Sequence, residues 1–290
     1  MASAPAVSIV TSTYNWPNAL RLAMQTALSQ TFADFEYIIV GDGCTDETEA
    51  VVKGFDDPRI VWRNLEENSG NQARPNQVGL EMARGEYVAY LNHDDLWFPD
   101  HLGVMLSAIR RQDADISSSL CIEIAPPGNP YRGVIGGPKP SETGVSIGAM
   151  TTSVVHRREA GLAIGGWRDW RTLEGVPTQD FFFRLSQARS RHGFVPWVSS
   201  LKFHSADRPN SYVTRTADEQ AAWLERMRTD PHLRHRLLAQ AAVSQSLGHE
   251  PPGKTRLKTL KNPPPGWQIE QYRLARGLPP MLDLGRETEV

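Results

Sequence analysis

Cysteine is scarce in this chain: Cys44 and Cys121 are the two present in 290 residues. Two are too few for a disulfide scaffold, and they lack the spacing of a metal cluster, so a reducing, cytoplasmic setting is expected. No apolar run approaches the roughly 18 residues that a membrane-crossing helix needs. The opening MASAPAVSIVTSTYN has no basic stretch followed by an apolar one, so no signal peptide is expected. An excess of either charge is also absent. Lys and Arg number 31 against 33 Asp and Glu, a net charge of −2. No global field therefore draws in nucleic acid or an anionic membrane. A lipid-linked substrate would have to be met from the aqueous side.

What is present describes a globular protein. Hydrophobic residues make up 40% and charged residues 22%, an ordinary balance for a chain with a core. β-rich runs AVSIV (6–10), FEYIIV (35–40), RIVWRN (59–64) and EYVAYL (86–91) alternate with helical stretches at 17–30, 46–55 and 76–85. In the first helix Leu20, Ala23, Met24, Ala27 and Leu28 share a face, and Pro17 suits its first turn. This alternation predicts an α/β domain with a mainly parallel sheet flanked by helices. Beyond residue 100 we expect a helix at 101–112, a strand at 114–125, a Pro- and Gly-rich loop at 126–144 and a strand-to-helix passage at 146–160. A helix at 179–190 and a strand at 196–204 follow. A C-terminal helical and Pro-rich extension covers 217–290, set apart from a catalytic domain at 1–216 whose nucleotide-binding half is 1–100.

In parallel sheets, ligands sit beyond the carboxyl ends of the strands. Those ends read TSTYN, GDGCTD and NHDD. The last of them places Asp94 and Asp95 directly after an apolar strand.

The three motifs VSIVTSTYN, IIVGDGCTDET and ARGEYVAYLNHDDLWFPD stand in the order and spacing of the family 2 glycosyltransferases, which the chain resembles. The likeness is firm over roughly the first 100 residues and weaker to about 210. It implies a GT-A (Rossmann-like) fold and transfer of a sugar from a nucleotide-diphosphate donor, UDP-sugar favoured, to a hydroxyl acceptor with inversion. The acceptor would be a glycan, a lipid-linked molecule or a small molecule. The resemblance also implies Mn²⁺ or Mg²⁺, because a diphosphate needs charge compensation and a hard cation on carboxylate and phosphate oxygens supplies it.

By resemblance, Asp94 is the metal-binding acid. Asp95 is the acid beside it or a cap for the following helix, and His204 is a supplementary metal ligand. Asn92 stands where the family has an acid, and Gly41 where it has another. Asp42 would accept from a nucleobase N–H. Ser12 and Tyr14 would flank base and ribose, Asn92 and His93 would lie at the nucleotide, and Arg74 would approach the base or diphosphate. The base that takes the acceptor proton is assigned to Asp180, with Glu174 in reserve, although strict register falls on Thr178. Asp46 reads as a helix cap, Arg208 as a phosphate contact, and Trp167 and Trp170 as sugar-stacking or core residues. Lys254, Arg256, Lys258 and Lys261 would meet an anionic carrier or form a solvated linker. The extension is the expected surface of any homo-oligomer. Two rival readings remain: a nucleotide-sugar-binding module without catalysis, and a nucleotidyltransferase. The second lacks a Gly-rich, basic loop after its first strand.

Overall fold

The structure is a computed structural model and describes residues 4–141, 144–147, 150–188, 191–252 and 263–282. Its first half is a regular alternation: β1 (Val7–Thr13), α1 (Pro17–Leu28), β2 (Phe35–Gly41), α2 (Thr48–Lys53), β3 (Ile60–Asn64), α3 (Ala73–Met82) and β4 (Tyr87–Tyr90). A short β5 (Leu96–Trp97) and α4 (His101–Arg111) lead to β6 (Ile116–Ile124). Three short strands follow, β7 (Arg132–Ile135), β8 (Pro138–Ser141) and β9 (Gly144–Ile147), then β10 (Val154–Arg157) and α5 (Arg158–Ala163). The chain continues through α6 (Pro177–Gln187), β11 (His192–Lys202) and α7 (Ser211–Thr214). It closes with α8 (Asp218–Thr229), α9 (Leu233–Ser246) and α10 (Trp267–Ala275).

The main sheet runs β3-β2-β1-β4-β10-β6-β11-β5, with β7 attached to β6. Its first four strands are parallel. β10 is antiparallel to both β4 and β6, and β11 is parallel to β6. Reversing twice across β10 leaves β6 and β11 running with β4. The carboxyl ends of β1, β2, β4, β6 and β11 therefore share one edge.

Helices cover both faces. Leu20, Ala23, Met24 and Ala27 of α1 pack with Leu102, Met105 and Leu106 of α4 on one face of the sheet. Val78 and Leu80 of α3 and Phe181, Phe182 and Leu185 of α6 pack on the other. There Phe181 stacks on Trp167 with ring centroids 4.4 Å apart and planes 3° apart, worth about 1 kcal/mol beyond burial. A third cluster joins Trp223, Leu224, Leu233 and Leu237 of α8 and α9 to Leu96, Ile122, Leu201 and Phe203 of the sheet. Helices α8 and α9 thus share a core with β5, β6 and β11.

The expected loop at 126–144 instead holds β7, β8 and the start of β9. β8 and β9 pair with each other alone, and such an edge tolerates Pro138 and Pro140 because few ladder donors are needed there. The helix expected over 46–55 is shorter, since Asp46 accepts the Thr48 N–H at 3.1 Å just ahead of α2. Trp167 and Trp170 are core residues, buried with their indole N–H groups donating to the Tyr90 hydroxyl (3.0 Å) and the Ser69 carbonyl (2.9 Å). Among the described residues, no helix is long and apolar enough to cross a membrane. Lys254, Arg256, Lys258 and Lys261 lie outside the described residues.

Two histidines are sealed in this core. His101 stacks on Trp97 with centroids 4.1 Å apart and hydrogen-bonds Ser199; His156 sits against Tyr90 and Phe181. Burial pushes His101 down to about 3 and His156 down to about 4. Because the unfolded chain takes up these protons near pH 6.5 and the folded one does not, their stability contribution is complete above that pH. It is lost as pH falls toward 4, at roughly 1 kcal/mol per pH unit for each histidine. Urea unfolding between pH 7 and 4.5 should show this slope, and His156→Gln should flatten it by the share of one histidine. An unchanged slope in that variant would show that other groups govern the acid limb.

Candidate active site

Each strand that ends on the common edge delivers a polar side chain into one cavity of 820 Å³. β1 brings Ser12, Thr13 and Tyr14; β2 brings Asp42; β4 brings Asn92, His93 and Asp94; β6 brings Glu123; β11 brings Lys202 and His204. The parallel part of the sheet fixes Thr13 beside Gly41 and Val10 beside Tyr90, so these loops start from matched heights.

The loops are held by specific bonds. Asp42 accepts the Ser69 N–H at 3.0 Å and the Asn68 side-chain amide at 3.2 Å. Burial raises its pKa, with the Ser69 bond acting against the rise. Gly41, where an acid is expected from the family pattern, has no room for one. A Cβ there would lie 2.4 Å from the Asn64 Oδ1 and 2.6 Å from the Trp62 ring. Asn64 uses that space to bridge the N–H and carbonyl of Cys44, each at 2.8 Å.

The acid pair divides its labour. Asp95 is fully buried and faces inward. It accepts from Lys202 Nζ (3.1 and 3.2 Å), from the Phe203 N–H (3.0 Å) and from the Asn92 amide (2.8 Å). Asp94 lines the cavity, with Lys202 Nζ 3.9 Å from its Oδ1. Burial raises Asp95 to about 6. For Asp94 burial acts in the same sense but is outweighed by Lys202, His93 and Arg276, so its carboxyl lies below the usual range. Lys202 is raised, since the two aspartates outweigh its own burial. His93 is buried between Thr13 Oγ1 (2.9 Å) and the Tyr212 hydroxyl (3.0 Å), and burial lowers its pKa.

Glu123 and His204 form a second polar pair in the wall, 2.5 Å apart, and Tyr131 donates to the other Glu123 oxygen at 3.0 Å. These bonds outweigh burial and lower the Glu123 pKa. The C-terminal α10 and the residues after it complete the wall with Ile269, Tyr272, Arg273, Arg276 and Leu278.

Of the residues singled out from the sequence, Ser12, Tyr14, Asp42, Asn92, His93, Asp94 and His204 line this cavity. Asp95 lies behind it. Arg74 is exposed in the first turn of α3 and is not part of the lining. Arg208 is committed to Glu219 and to the carbonyls of His204 and Ile124. Asp180 and Glu174, to which the base is assigned from the sequence, lie outside the lining, and Glu174 is exposed. Asp180 pairs with Arg184 at 2.8 Å, and Arg184 clamps the carbonyls of Ile164 and Gly166. The residues of that helix that do line the cavity are Pro177, Thr178, Gln179, Phe182 and Phe183.

Glu123, Lys202, Tyr212, Arg273 and Arg276 were missed. Glu123 and Lys202 could have been found by applying the strand-end rule to β6 and β11. The arginines of α10 carry no local signal.

A metal was expected on Asp94, Asp95 and His204. Asp95 is consumed by Lys202, Phe203 and Asn92, and His204 by Glu123. Among the described residues, no group of three His, Cys, Asp or Glu side chains could hold an ion. The donor set leaves Asp94 alone, so the residues present do not fit a metal held by the protein by itself.

Asp180→Asn should act on the fold. Weakening the partly buried pair with Arg184 costs about 1–2 kcal/mol, a melting temperature lower by a few degrees, with nucleotide binding unaltered. Loss of turnover at an unchanged melting temperature would return Asp180 to the chemistry.

Comparison with known proteins places this geometry. The family model "Glycosyl transferase family 2" matches residues 8–158. The putative teichuronic acid biosynthesis glycosyltransferase TuaG of Bacillus subtilis is 34% identical over 205 residues, covering 68% of this chain and 73% of that protein. An uncharacterized glycosyltransferase of Rickettsia typhi, RT0329, is 34% identical over 109 residues, and the chain spans 33% of its length. Staphylococcus aureus TarS 1–349, solved with UDP-GlcNAc, superposes with a TM-score of 0.57 at 19% identity, over 68% of this chain and 58% of that one. The mannosyltransferase PcManGT of Pyrobaculum calidifontis, solved with GDP-Man and Mn²⁺, gives 0.54 at 15% identity, over 87% and 78%. The structural matches carry the fold, which is GT-A. With over half of its length matched by the family model and 34% identity to TuaG across two thirds of both chains, this protein belongs to glycosyl transferase family 2.

Proposed function

We propose that this protein transfers a sugar from a nucleotide-diphosphate donor to a hydroxyl acceptor. The observation that carries the reading is the convergence of Asp42, Asp94 and Lys202, from three separate strand ends, on one cavity. Its 820 Å³ suits a small-molecule ligand, since such sites usually measure about 300–1,000 Å³. Solved relatives of the same fold hold UDP-GlcNAc and GDP-Man.

In this reading Asp42, with Ser12 and Tyr14, takes the nucleoside. A buried carboxylate accepts from a base N–H, and the Tyr14 ring, stacked 6.4 Å from Tyr212, offers a face. Asn92 and Asp94 lie beside the diphosphate. The acceptor oxygen bonds to the anomeric carbon as the bond from that carbon to the diphosphate oxygen breaks. The electron pair leaves on the diphosphate, and the acceptor proton passes to a carboxylate of the cavity. Attack opposite the leaving group inverts the anomeric centre. A divalent ion carried in by the donor would meet Asp94 in the cavity. The acceptor enters past Met150, Val176, Phe182 and Phe183, an apolar side that favours an acceptor with an apolar portion.

The positions of Asp180 and Glu174 outside the cavity favour a second reading, a donor-binding module without transfer. Turnover separates the two. Incubation with UDP- and GDP-sugars should release nucleoside diphosphate, faster with an acceptor than by hydrolysis alone. Tight donor binding with no release over hours would favour the module, and no donor binding would remove both readings. Asp42→Asn should weaken uridine and UDP alike, by roughly tenfold, in a calorimetric titration.

A further inference from the structure

Three strongly basic side chains line the cavity, and they are differently occupied. Arg273 donates to the carbonyls of Gly70 and Pro279, each at 2.8 Å, so it braces the wall. Lys202 sits on the rim with Asp95 behind it and Asp94 at 3.9 Å. Among the described residues Arg276 forms no salt bridge and its buried Nε has no hydrogen-bond partner, while its guanidinium lies over the Tyr272 ring, 5.9 Å from the centroid. The backbone around Arg276 is fixed all the same. Tyr212 N–H donates to the Arg276 carbonyl at 3.0 Å and Asn210 N–H to the Ala275 carbonyl at 3.1 Å.

We propose that Lys202 and Arg276 are the protein's own cations for a diphosphate, so that a nucleoside diphosphate binds here without a divalent ion and α10 is part of the donor site. The proposal rests on the nucleotide-sugar reading above. A diphosphate brought beside Asp94 needs positive charge already in place. Lys202 supplies it at a fixed point, because Asp95 grips the ammonium through both oxygens while the third N–H remains for a ligand. Arg276 adds a planar donor set that matches phosphate oxygens. The residues expected to hold an ion are otherwise engaged, as Asp95 and His204 show. A fixed cation also needs no divalent ion from solution.

Calorimetry and NMR titration of the full chain with UDP, GDP, uridine and guanosine in EDTA test this. UDP or GDP should bind the wild type in EDTA. Arg276→Gln should weaken that diphosphate about tenfold while leaving the matching nucleoside unchanged, and Lys202→Met should do the same or more. Should Lys202→Met fail to fold, because Asp95 is left buried without its partner, Arg276→Gln decides alone. Diphosphate binding that vanishes in EDTA and returns with Mn²⁺ overturns the proposal, as does Arg276→Gln with wild-type affinity; both leave the function reading standing. A wild type that binds no nucleoside diphosphate in either buffer overturns both.

Discussion

Asp95 and Lys202 hold the two halves of this molecule together at the point where chemistry is done. Asp95 follows β4 and Lys202 ends β11, 107 residues later, yet ammonium and carboxylate meet at 3.1 Å with the acid wholly buried. The Phe203 N–H completes the contact from the same strand. A buried ion pair of this kind adds little net stability over an apolar pair, but removing one partner strands a charge, at about 3–5 kcal/mol. Its value lies in register. One acid, three donors and two strand ends admit a single arrangement, and the cavity inherits that precision.

The same contact explains why two acids stand side by side. A single carboxylate after β4 would have to choose between anchoring β11 and facing a ligand. With two, the inward one takes the anchor and the outward one stays in the cavity. Their environments then drive them apart, burial raising Asp95 while the surrounding cations lower Asp94. Asn92 is drawn into the anchor through its amide. An acid at that position would have set three negative charges around one lysine. Gly41 follows similar logic, since Asn64 occupies the space of its missing side chain to secure the loop at Cys44.

Much of this was legible. Strand and helix periods locate β1 to β4 and α1, and the strand-end rule alone brings Ser12, Tyr14, Asp42 and Asp94 to a shared edge. The rule fails where a side chain must choose between fold and ligand, because composition cannot show which acid turns inward. Asp95 and Asp180 look like site residues in sequence, and in space each is paired with a cation, Lys202 107 positions away and Arg184 one helical turn on. β8 and β9 were hidden by proline and glycine, which mark loops unless a strand lies at an edge.

The least legible part is also the most tightly bound. The loop at 68–71 meets the cavity through Asp42, which accepts the Ser69 N–H. Its carbonyls are claimed from elsewhere: Ser69 by the Trp170 indole and by Arg171, Gly70 by Arg273. Gly70 has φ +88, and a Cβ there would strike Met281. Loop, indole and C-terminal helix therefore fit only together, and the contact from Arg273 spans 203 residues. Contacts from three directions hold this wall with no ligand taking part, which is what a site formed before binding requires. It follows that α10 is tied to the same loop that holds Asp42. A change in the last helix should be felt at Asp42 as directly as a change in the first hundred residues.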